Sequence, residues 1–299
     1  MPSLSKGVLL AAGLGTRLVP YSKEMPKEML PVFFGVNNSV YLKPVIQAVF
    51  EQFYEAGIRE FCFVVGRGKR VIEDHFTPDW DFVEYLEKTG KNDYAELLRD
   101  FYEKVEKSYI TWVNQPVPRG TGHAVYMAKG FVGDDYFMAA ATDNLFLGEN
   151  IPRRLLEYFD RLRSPMLAVK RVRDPRRYGV VIGSRVDTSI YRVEGIVEKP
   201  REPLSYLANT SLYIFPPEIF RAIEQTTPSP RGELEVTDSI QILIRSGYQF
   251  YAYEAEADWI DIGTWETFLR AALVSLKHAL GADKLSEILS ELGIGAGKP

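Results

Sequence analysis

The segment Gly7-Val8-Leu9-Leu10-Ala11-Ala12-Gly13-Leu14-Gly15-Thr16-Arg17 decides the fold, because an apolar run leads straight into a glycine-rich loop. The apolar residues predict a short buried strand. Backbone N–H groups in such a loop form a concave, positive surface that suits phosphate, and Arg17 adds a charged fork for phosphate oxygens. The third glycine of a dinucleotide-binding fingerprint is missing, and no Gly-Lys-Ser/Thr follows as in a P-loop. Alone, the loop is a weak signal, since tight turns are the commoner cause of such glycines.

Helix and strand patterns alternate beyond this loop. The next apolar residues at helical spacing are Leu42, Val45, Ile46, Val49, Phe50 and Phe53, and Gly57 is placed to end their helix. Residues 58–65 predict the following strand, and this β-loop-α-β unit favours a parallel sheet with right-handed crossovers. Residues 69–107 are predicted to be mostly helical, and residues 109–113 and 136–141 to be strands.

The rhythm changes after about residue 165, where short strands mix with helices. We interpret this region as a second, mixed lobe that completes the same sheet, with strands at 166–172, 180–183, 190–197, 211–215 and 248–253 and helices at 216–226 and 235–246. From Thr264 onward the pattern predicts two helices that break near Gly281. We expect the apolar stripe of this tail to pack on the body of the protein, and a dimer interface, hence a homo-oligomer, is the alternative; its residues are Leu269, Leu273, Leu276 and Leu280.

The composition is that of an ordinary globular protein. The 299 residues carry a net charge of −4, with 46 % hydrophobic and 25 % charged residues. Mild acidity argues against non-specific nucleic-acid binding, which needs a basic face. The single cysteine, Cys62, is expected in the core and allows no internal disulfide or cysteine-based zinc site. The start lacks the apolar stretch of a signal peptide and no segment approaches the ~20 apolar residues of a membrane span, so we expect a cytoplasmic protein without membrane contact.

A second motif makes the glycine-rich loop specific. The loop Gly13-x-Gly15-Thr16-Arg17 followed by Pro26-Lys27-Glu28-Met29-Leu30-Pro31 closely resembles the signature of sugar-1-phosphate nucleotidyltransferases. The Glu-Met-Leu-Pro variant is similar to bacterial-type UTP–glucose-1-phosphate uridylyltransferases. Further segments resemble this family in its order along about residues 5–270: Asn114-Gln115-Pro116 with 119–124, Ala141-Thr142-Asp143-Asn144, Tyr178-Gly179-Val180-Val181, Val197-Glu198-Lys199-Pro200, 231–238 and 259–264.

This resemblance implies a fold and a reaction. The implied fold is α/β: a Rossmann-like three-layer α/β/α nucleotidyltransferase domain with a mixed, mostly parallel central sheet. We expect the catalytic domain at residues 1–265, with a nucleotide-binding half at about 1–145 and a sugar-phosphate-binding half at about 146–265, and a C-terminal helical tail at 266–299. The implied reaction joins UTP to glucose 1-phosphate with the help of Mg²⁺ and gives UDP-glucose and pyrophosphate. The partners are therefore small molecules, and neither nucleic acid nor a membrane is expected.

The resemblance also assigns residues to the nucleotide. Arg17 and Lys27 are the candidate catalytic cations that stabilise charge on the triphosphate. Gln115 carries a donor and an acceptor that match uracil, and Gly120 would leave room for the base to lie against the backbone. The remaining expected nucleotide contacts are Ala12, Gly13, Gly15, Thr16 and, at the ribose or base, Glu28.

The sugar phosphate and the metal ion have their own candidates. Lys199 is expected to bind the phosphate of the sugar and Glu198 its hydroxyl groups, with Gly179 and Asn209 beside them. Asp143, also a catalytic candidate, and Asp261 follow apparent strands and offer the oxygen ligands that Mg²⁺ prefers. His75, His123 and His278 do not cluster, so local packing is expected for them.

Alternative functions stay open at this level. Asn209-Thr210 is similar to N-acetylglucosamine-1-phosphate uridylyltransferases, and the Trp-x-Asp-x-Gly setting of Asp261 to thymidylyltransferases. The long segment from about 66 to 110 favours the glucose uridylyltransferase branch. A non-catalytic regulatory subunit on the same fold is the alternative of a different class, but Arg17, Lys27, Asp143 and Lys199 are all present and such a subunit would not need them.

Overall fold

The computed structural model describes residues 4–294; the predictions for residues 1–3 and 295–299 lie outside the described residues. The strands are β1 (Lys6–Ala11), β2 (Pro31–Val36), β3 (Ser39–Pro44), β4 (Glu60–Val65), β5 (Tyr109–Asn114), β6 (Phe137–Ala141), β7 (Asn144–Leu147), β8 (Met166–Arg171), β9 (Gly179–Arg185), β10 (Ile190–Glu198), β11 (Leu207–Phe215), β12 (Tyr251–Glu254) and β13 (Asp258–Asp261). The helices are α1 (Val45–Glu55), α2 (Arg70–His75), α3 (Trp80–Lys88), α4 (Asn92–Glu106), α5 (Thr121–Met127), α6 (Lys129–Val132), α7 (Ile151–Leu162), α8 (Ile219–Gln225), α9 (Val236–Arg245), α10 (Trp265–Leu280) and α11 (Ala282–Glu291).

A nine-stranded mixed sheet runs through residues 4–294 in the order β5-β4-β1-β6-β11-β8-β12-β10-β9. The first four strands in this order are parallel, as the β-loop-α-β pattern predicts. Their carboxyl ends therefore meet at one edge of the sheet, where ligands bind in open α/β sheets. The segments at this edge are the loop after β1, residues 66–69 after β4, Gln115 after β5 and Asp143 after β6.

The sheet is mixed, as expected, and seven of its nine strands run in the same direction, since only β10 and β11 run against the others. Over the described chain, five of the nine strand pairings in this sheet are antiparallel. Strand β11 runs against β6, β8 and β9, and β10 runs against β9 and β12. The link between β9 and β10 is residues 186–189, which is too short for the crossover that parallel neighbours require.

The core consists of two apolar clusters, and successive residues of the central strands alternate between them. Leu9 and Phe63 belong to one cluster, and Val8 and Val64 to the other. Cys62 is buried in the second cluster as predicted, and burial raises the pKa of its thiol to about 12. Helices α1, α4 and α7 contribute to the first cluster, and α5, α8 and α9 to the second.

An unpredicted hairpin of β2 and β3 precedes the first helix. Leu42 lies in β3 and is 58 % exposed, so its predicted place on the helix is wrong. The reason is Pro44, which disfavours helical backbone at the residue before it, so that α1 begins only at Val45. Gly57 follows the helix with φ 106°, as expected of a helix-ending glycine.

The tail forms two helices that break at Gly281, as predicted. Helix α10 packs on the β2–β3 hairpin, where the Phe33 N–H donates to Ser275 Oγ at 3.1 Å. The buried positions of α10 are Ala271 and Ser275, whereas Leu269 of the predicted stripe is 53 % exposed. The packing prediction is therefore wrong for Leu269. The face of α10 that packs on the hairpin carries the small residues Ala271 and Ser275, which allow the helix to approach the hairpin closely. Among residues 4–294, no helix combines the length and the apolar character that crossing a membrane requires.

Candidate active site

The loop after β1 is held open by its glycines. Gly15 adopts φ 65°, and a Cβ atom there would lie 3.0 Å from Ser22 Cβ. Ser22 Oγ donates a hydrogen bond of 2.7 Å to the Gly15 carbonyl, which fixes the turn before a 3-10 helix at Thr16–Leu18. Ala12 is buried beneath the loop, whereas Gly13, Thr16 and Arg17 are exposed. The exposed loop residues are free to contact a ligand.

Lys27 forms an ion pair with Asp143 at the base of this loop. Both side chains are largely buried. Burial by itself lowers the pKa of Lys27, but the nearby carboxylates of Asp143 and Glu28 outweigh it and raise the pKa. Lys27 is therefore a fixed positive charge beside Gly13, whose Cβ, if present, would lie 3.7 Å from Lys27 Nζ.

The two predicted metal ligands are brought together by a short sheet. Strands β7 and β13 pair so that Asp261 is opposite Asn144, and the Ile262 N–H donates to the Asp143 carbonyl at 2.9 Å. Burial, and then the charge of Asp143, raise the pKa of Asp261 to about 6, although Lys27 and Arg17 oppose the shift. The described part of the chain holds no group of three or more His, Cys, Asp or Glu side chains placed to ligate a metal.

A chain of hydrogen bonds holds Asp143 from behind. Trp259 Nε1 donates to Asn144 Oδ1 at 2.9 Å, and Asn144 Nδ2 donates to Asp143 Oδ1 at 3.0 Å. The Asp143 carboxylate thus has one oxygen on Asn144 and the other on Lys27. Its orientation is set before any substrate arrives.

Glu28 lies under the loop, in a buried ion pair. Its side chain is 1 % exposed, and Glu28 Oε2 is 2.6 Å from Nζ of Lys69, which is 9 % exposed. Lys69 stands at the start of α2, in the loop that follows β4. The predicted contact of Glu28 with ribose or base stays a prediction, and the ion pair with Lys69 was not anticipated.

The predicted base-reading residues lie on the next edge loop. Gln115 is buried, its N–H donates to the Val65 carbonyl, and its Nε2 is 2.8 Å from His123 Nδ1 and 3.4 Å from the Gly120 carbonyl. Two acceptors beside Nε2 leave Oε1 as the group that can accept from a ligand. Desolvation, and then Arg119, lower the pKa of His123, so the neutral ring that can accept is favoured.

The predicted reason for glycine at position 120 is wrong. Gly120 has φ 97°, and a Cβ atom there would lie 2.6 Å from the Leu234 carbonyl oxygen. The space beside the α-carbon is thus taken by the protein's own backbone. The Leu234 N–H donates to the Arg119 carbonyl and the Gly122 N–H donates to the Leu234 carbonyl, so that segment 231–238 is tied to the base loop.

The sugar candidates form a separate cluster on β9, β10 and β11. A Cβ atom at Gly179 would lie 2.8 Å from Thr237 Cγ2 and 3.2 Å from Glu198 Oε2, and Thr237 Oγ1 donates to Glu198 Oε2 at 3.0 Å. Lys199 Nζ is 2.6 Å from Glu198 Oε1, and its backbone adopts φ 42°. Asn209 is buried, and its Nδ2 donates to the Tyr213 hydroxyl at 2.6 Å.

The structure thus gathers the predicted residues into three groups along one edge. Gly13, Lys27, Asp143 and Asp261 form the first, with Arg17 close enough to act on Asp261; Gln115 and Gly120 form the second; Gly179, Glu198, Lys199 and Asn209 form the third. Sequence reasoning missed Lys69, Asn144, Trp259, Thr237 and the role of His123. All but Lys69 lie within segments that resemble the family, so their motifs carried a signal. Lys69 stands outside those segments, beside other basic residues.

The chain is similar to known proteins over most of its length. The family described as "Nucleotidyl transferase" matches residues 6–278. The UTP–glucose-1-phosphate uridylyltransferase of Pseudomonas aeruginosa is 34 % identical over 275 residues, which cover 90 % of this chain and 94 % of that protein. The UTP-bound UGPase from Acinetobacter baumannii has 30 % identity and a TM-score of 0.80, with 98 % of this chain and 100 % of that chain covered. A UDP-glucose pyrophosphorylase complexed with UDP-glucose has 27 % identity and a TM-score of 0.79, with 92 % of this chain and 99 % of that chain covered. Because the family match and these relatives extend over nearly the whole sequence, this chain belongs to the nucleotidyl transferase family.

Proposed function

We propose that this protein joins UTP to glucose 1-phosphate and releases UDP-glucose and pyrophosphate. The observation that carries the proposal is the full-length likeness to proteins solved with UTP and with UDP-glucose. The clustered site residues support it. Since β11 runs against β6 with Leu212 opposite Ala140, Asn209 of the sugar group lies beyond the carboxyl end of β6, on the side of Asp143. Nucleotide and sugar phosphate would therefore meet at the same edge.

The chemistry asks for charge neutralisation and alignment more than for a protein nucleophile. A phosphate oxygen of glucose 1-phosphate attacks the α-phosphorus of UTP in line, the bond to the β-phosphate breaks, and pyrophosphate leaves. The attacking oxygen is already ionised at neutral pH, so no side chain has to remove a proton. Arg17 and Lys27 would stabilise the charge on the triphosphate, and the N–H groups of the loop at Gly13, Gly15 and Thr16 would hold its phosphates.

The metal ion of this proposal is Mg²⁺, held by Asp143 and Asp261. Mg²⁺ commonly takes one or two carboxylates together with substrate phosphates and water, so a pair of aspartates suffices. Burial and then the charge of Asp143 raise the pKa of Asp261 to about 6, and a divalent cation would counter both effects, which supports the fit. When bound, the ion would neutralise charge on the reacting phosphates. We expect EDTA to abolish turnover and Mg²⁺ to restore it; turnover in excess EDTA would contradict this part.

Base choice would depend on the Gln115 amide. With its Nε2 directed to His123 and Gly120, Oε1 can accept from the N3–H of uracil. Cytosine has no proton on N3, so CTP would set the N3 lone pair against the Oε1 acceptor. Gly120 and Ala12 would contribute backbone contacts, and Glu28 remains a proposed contact to ribose or base.

The sugar side would use Lys199 for the phosphate and Glu198 for hydroxyl groups of glucose. The ion pair between them joins two partly exposed side chains, which a ligand could reach. Thr237 fixes the second oxygen of Glu198, and the missing Cβ of Gly179 lets both side chains pack against its backbone. Asn209 would add an amide contact to the sugar.

The two core clusters, each with its own helices, support a three-layer α/β/α arrangement. We propose the nucleotide-binding half at about 1–145, the sugar-phosphate-binding half at about 146–265 and the tail from 266 as its subdivision.

A release assay tests the proposed function. Pyrophosphate release is measured with UTP, dTTP, ATP, CTP and GTP, each against glucose 1-phosphate and N-acetylglucosamine 1-phosphate. We expect the highest kcat/KM for UTP with glucose 1-phosphate. A higher value for dTTP would move the protein to the thymidylyltransferases, and no release from any pair would overturn the enzyme reading.

A further inference from the structure

Apart from the proposed contact of Glu28 with ribose or base, the reaction as written above gives the buried ion pair of Glu28 and Lys69 no part. The two residues come from different segments: Glu28 from the 3-10 turn Lys27–Met29, and Lys69 from the loop after β4, 41 positions later. Both side chains are at least nine-tenths buried, and their charged atoms are 2.6 Å apart. Burying charge is costly, and such a pair often contributes little net stability compared with apolar packing. The pair lies next to Lys27 and the loop at Gly13, which suggests a role in arranging the active site.

Glu28 is a second carboxylate within the surroundings of Lys27. A Cβ atom placed on Gly13 would lie 3.4 Å from Lys27 Cε, 3.7 Å from Lys27 Nζ and 4.0 Å from Glu28 Oε1. The ammonium of Lys27 and the free oxygen of Glu28 are thus neighbours of the same loop residue. Lys27 nevertheless pairs with Asp143.

Lys27 pairs with Asp143 and not with Glu28 because of the charges around the two carboxylates. Glu28 already has a full positive charge on its other oxygen, supplied by Lys69, so the Glu28–Lys69 pair is neutral. Asp143 receives only a neutral amide from Asn144 in addition to Lys27. Lys27 therefore gains more from Asp143. We propose that Lys69 is a positioning residue of the active site, which neutralises Glu28 and thereby keeps Lys27 directed at Asp143 and the incoming phosphates.

The consequence concerns the polyanionic substrate. Without Lys69, Glu28 would be a buried carboxylate with no cation except Lys27. Lys27 would then be drawn towards Glu28, away from the place where the triphosphate must be neutralised. The inference rests on the proposed function for its kinetic readout, but the direction of the Lys27 side chain can be observed without substrate.

The decisive comparison is a double-mutant cycle of Lys69→Met, Glu28→Gln and the two together. Lys69→Met should lower kcat for UTP and glucose 1-phosphate by at least about tenfold, with a change below about threefold in the KM for glucose 1-phosphate. Glu28→Gln/Lys69→Met should recover most of the kcat of Glu28→Gln, because no carboxylate remains to divert Lys27. A crystal structure of Lys69→Met should show Lys27 Nζ on Glu28.

A matched control separates positioning from stability. Lys43 and Glu51 form a similarly buried pair in the same half, with Nζ 2.5 Å from Oε2, and neither belongs to the site. Lys43→Met should lower the melting temperature about as much as Lys69→Met but leave kcat unchanged.

Three outcomes would overturn the inference: Lys69→Met with wild-type kcat, a double variant as slow as Lys69→Met alone, or Lys27 still on Asp143 in its structure. No pyrophosphate release from the wild-type protein would instead refute the proposed function, and the crystal structure would still decide the position of Lys27.

Discussion

The proposed nucleotide side and the proposed sugar side of the site hold their charges differently. Lys27 is 18 % exposed and paired with a buried aspartate that other side chains fix in turn. Lys199 is 37 % exposed and paired with the partly exposed carboxylate of Glu198. A buried cation has already lost its water and cannot be removed without leaving its partner unpaired. A half-exposed cation keeps much of its hydration, so its loss should affect mainly the ligand it binds.

The difference also follows the sheet. Several residues proposed for the nucleotide lie at the carboxyl ends of the parallel strands β1, β5 and β6, whereas those proposed for the sugar lie on or next to β9, β10 and β11, which pair in antiparallel fashion. Segment 231–238 is hydrogen-bonded to both groups of residues. The backbone of its Leu234 is hydrogen-bonded to Arg119 and Gly122, and its Thr237 donates to Glu198.

The largest effect should come from Lys27→Ala. It removes a buried charge at the triphosphate, so we expect kcat to fall by about 100-fold or more, with little change in the KM for glucose 1-phosphate. Steady-state kinetics of a variant with a native circular dichroism spectrum would measure this. Lys43→Ala, which breaks the buried pair with Glu51, is the control and should retain kcat. A wild-type kcat in Lys27→Ala would contradict the proposal that Lys27 stabilises the reacting triphosphate whereas Lys199 binds the sugar phosphate.

The next effect should come from Lys199→Ala. A charge-assisted hydrogen bond is worth about 1.5–3 kcal/mol, so the KM for glucose 1-phosphate should rise by roughly ten- to a hundredfold. Lys199→Arg should not restore it fully, because the planar guanidinium differs in shape from an ammonium. A fall in kcat with an unchanged KM would place Lys199 with Lys27 instead.

Base discrimination should respond to His123→Leu by a smaller amount. Without the Nδ1 acceptor the Gln115 amide can turn, and its amino group can then face the base. We expect the ratio of kcat/KM for UTP over CTP to fall by up to about tenfold, as for one mismatched hydrogen bond. Gln115→Ala should lower the ratio at least as far. Should both variants keep the wild-type ratio, the amide would have no part in reading the base.

The smallest effect concerns the stability of the nucleotide half. Burial lowers the pKa of His75 from 6.5 to about 4 in the folded protein, although Glu51 opposes the shift. As the pH falls from 6.5 towards 4, the unfolded chain binds a proton that the folded chain does not, so stability is lost. Between pH 7.5 and pH 5, wild type should lose about 1–2 kcal/mol more than His75→Gln in urea unfolding. Equal losses would mean that His75 is not held neutral.

Much of the nucleotide side was predictable because its signals are local. A strand followed by glycines predicts β1 and its loop, and the strand-end positions of Gln115 and Asp143 place both at one edge of a parallel sheet. The direction of strands such as β9 and β11 was not predictable, since a short apolar run reads the same in either orientation.

Other features depend on partners far apart in the sequence. Lys69 stands among basic residues that suggest a solvated loop, and only folding brings it to Glu28. Asn144 and Trp259 meet because β7 pairs with β13, which no local pattern indicates. The reason for Gly120 was missed likewise, since Leu234 lies more than a hundred positions later.

The division of labour between the two sides can be tested most directly by calorimetric titration of UTP, with Mg²⁺ present and no sugar phosphate, into Lys199→Ala and wild type. Only the nucleotide side should contribute to this binding. The account predicts Kd values that agree within about threefold, less than one charge-assisted hydrogen bond. A Kd weakened by tenfold or more in Lys199→Ala would show that the two lysines hold the same ligand and would contradict the account.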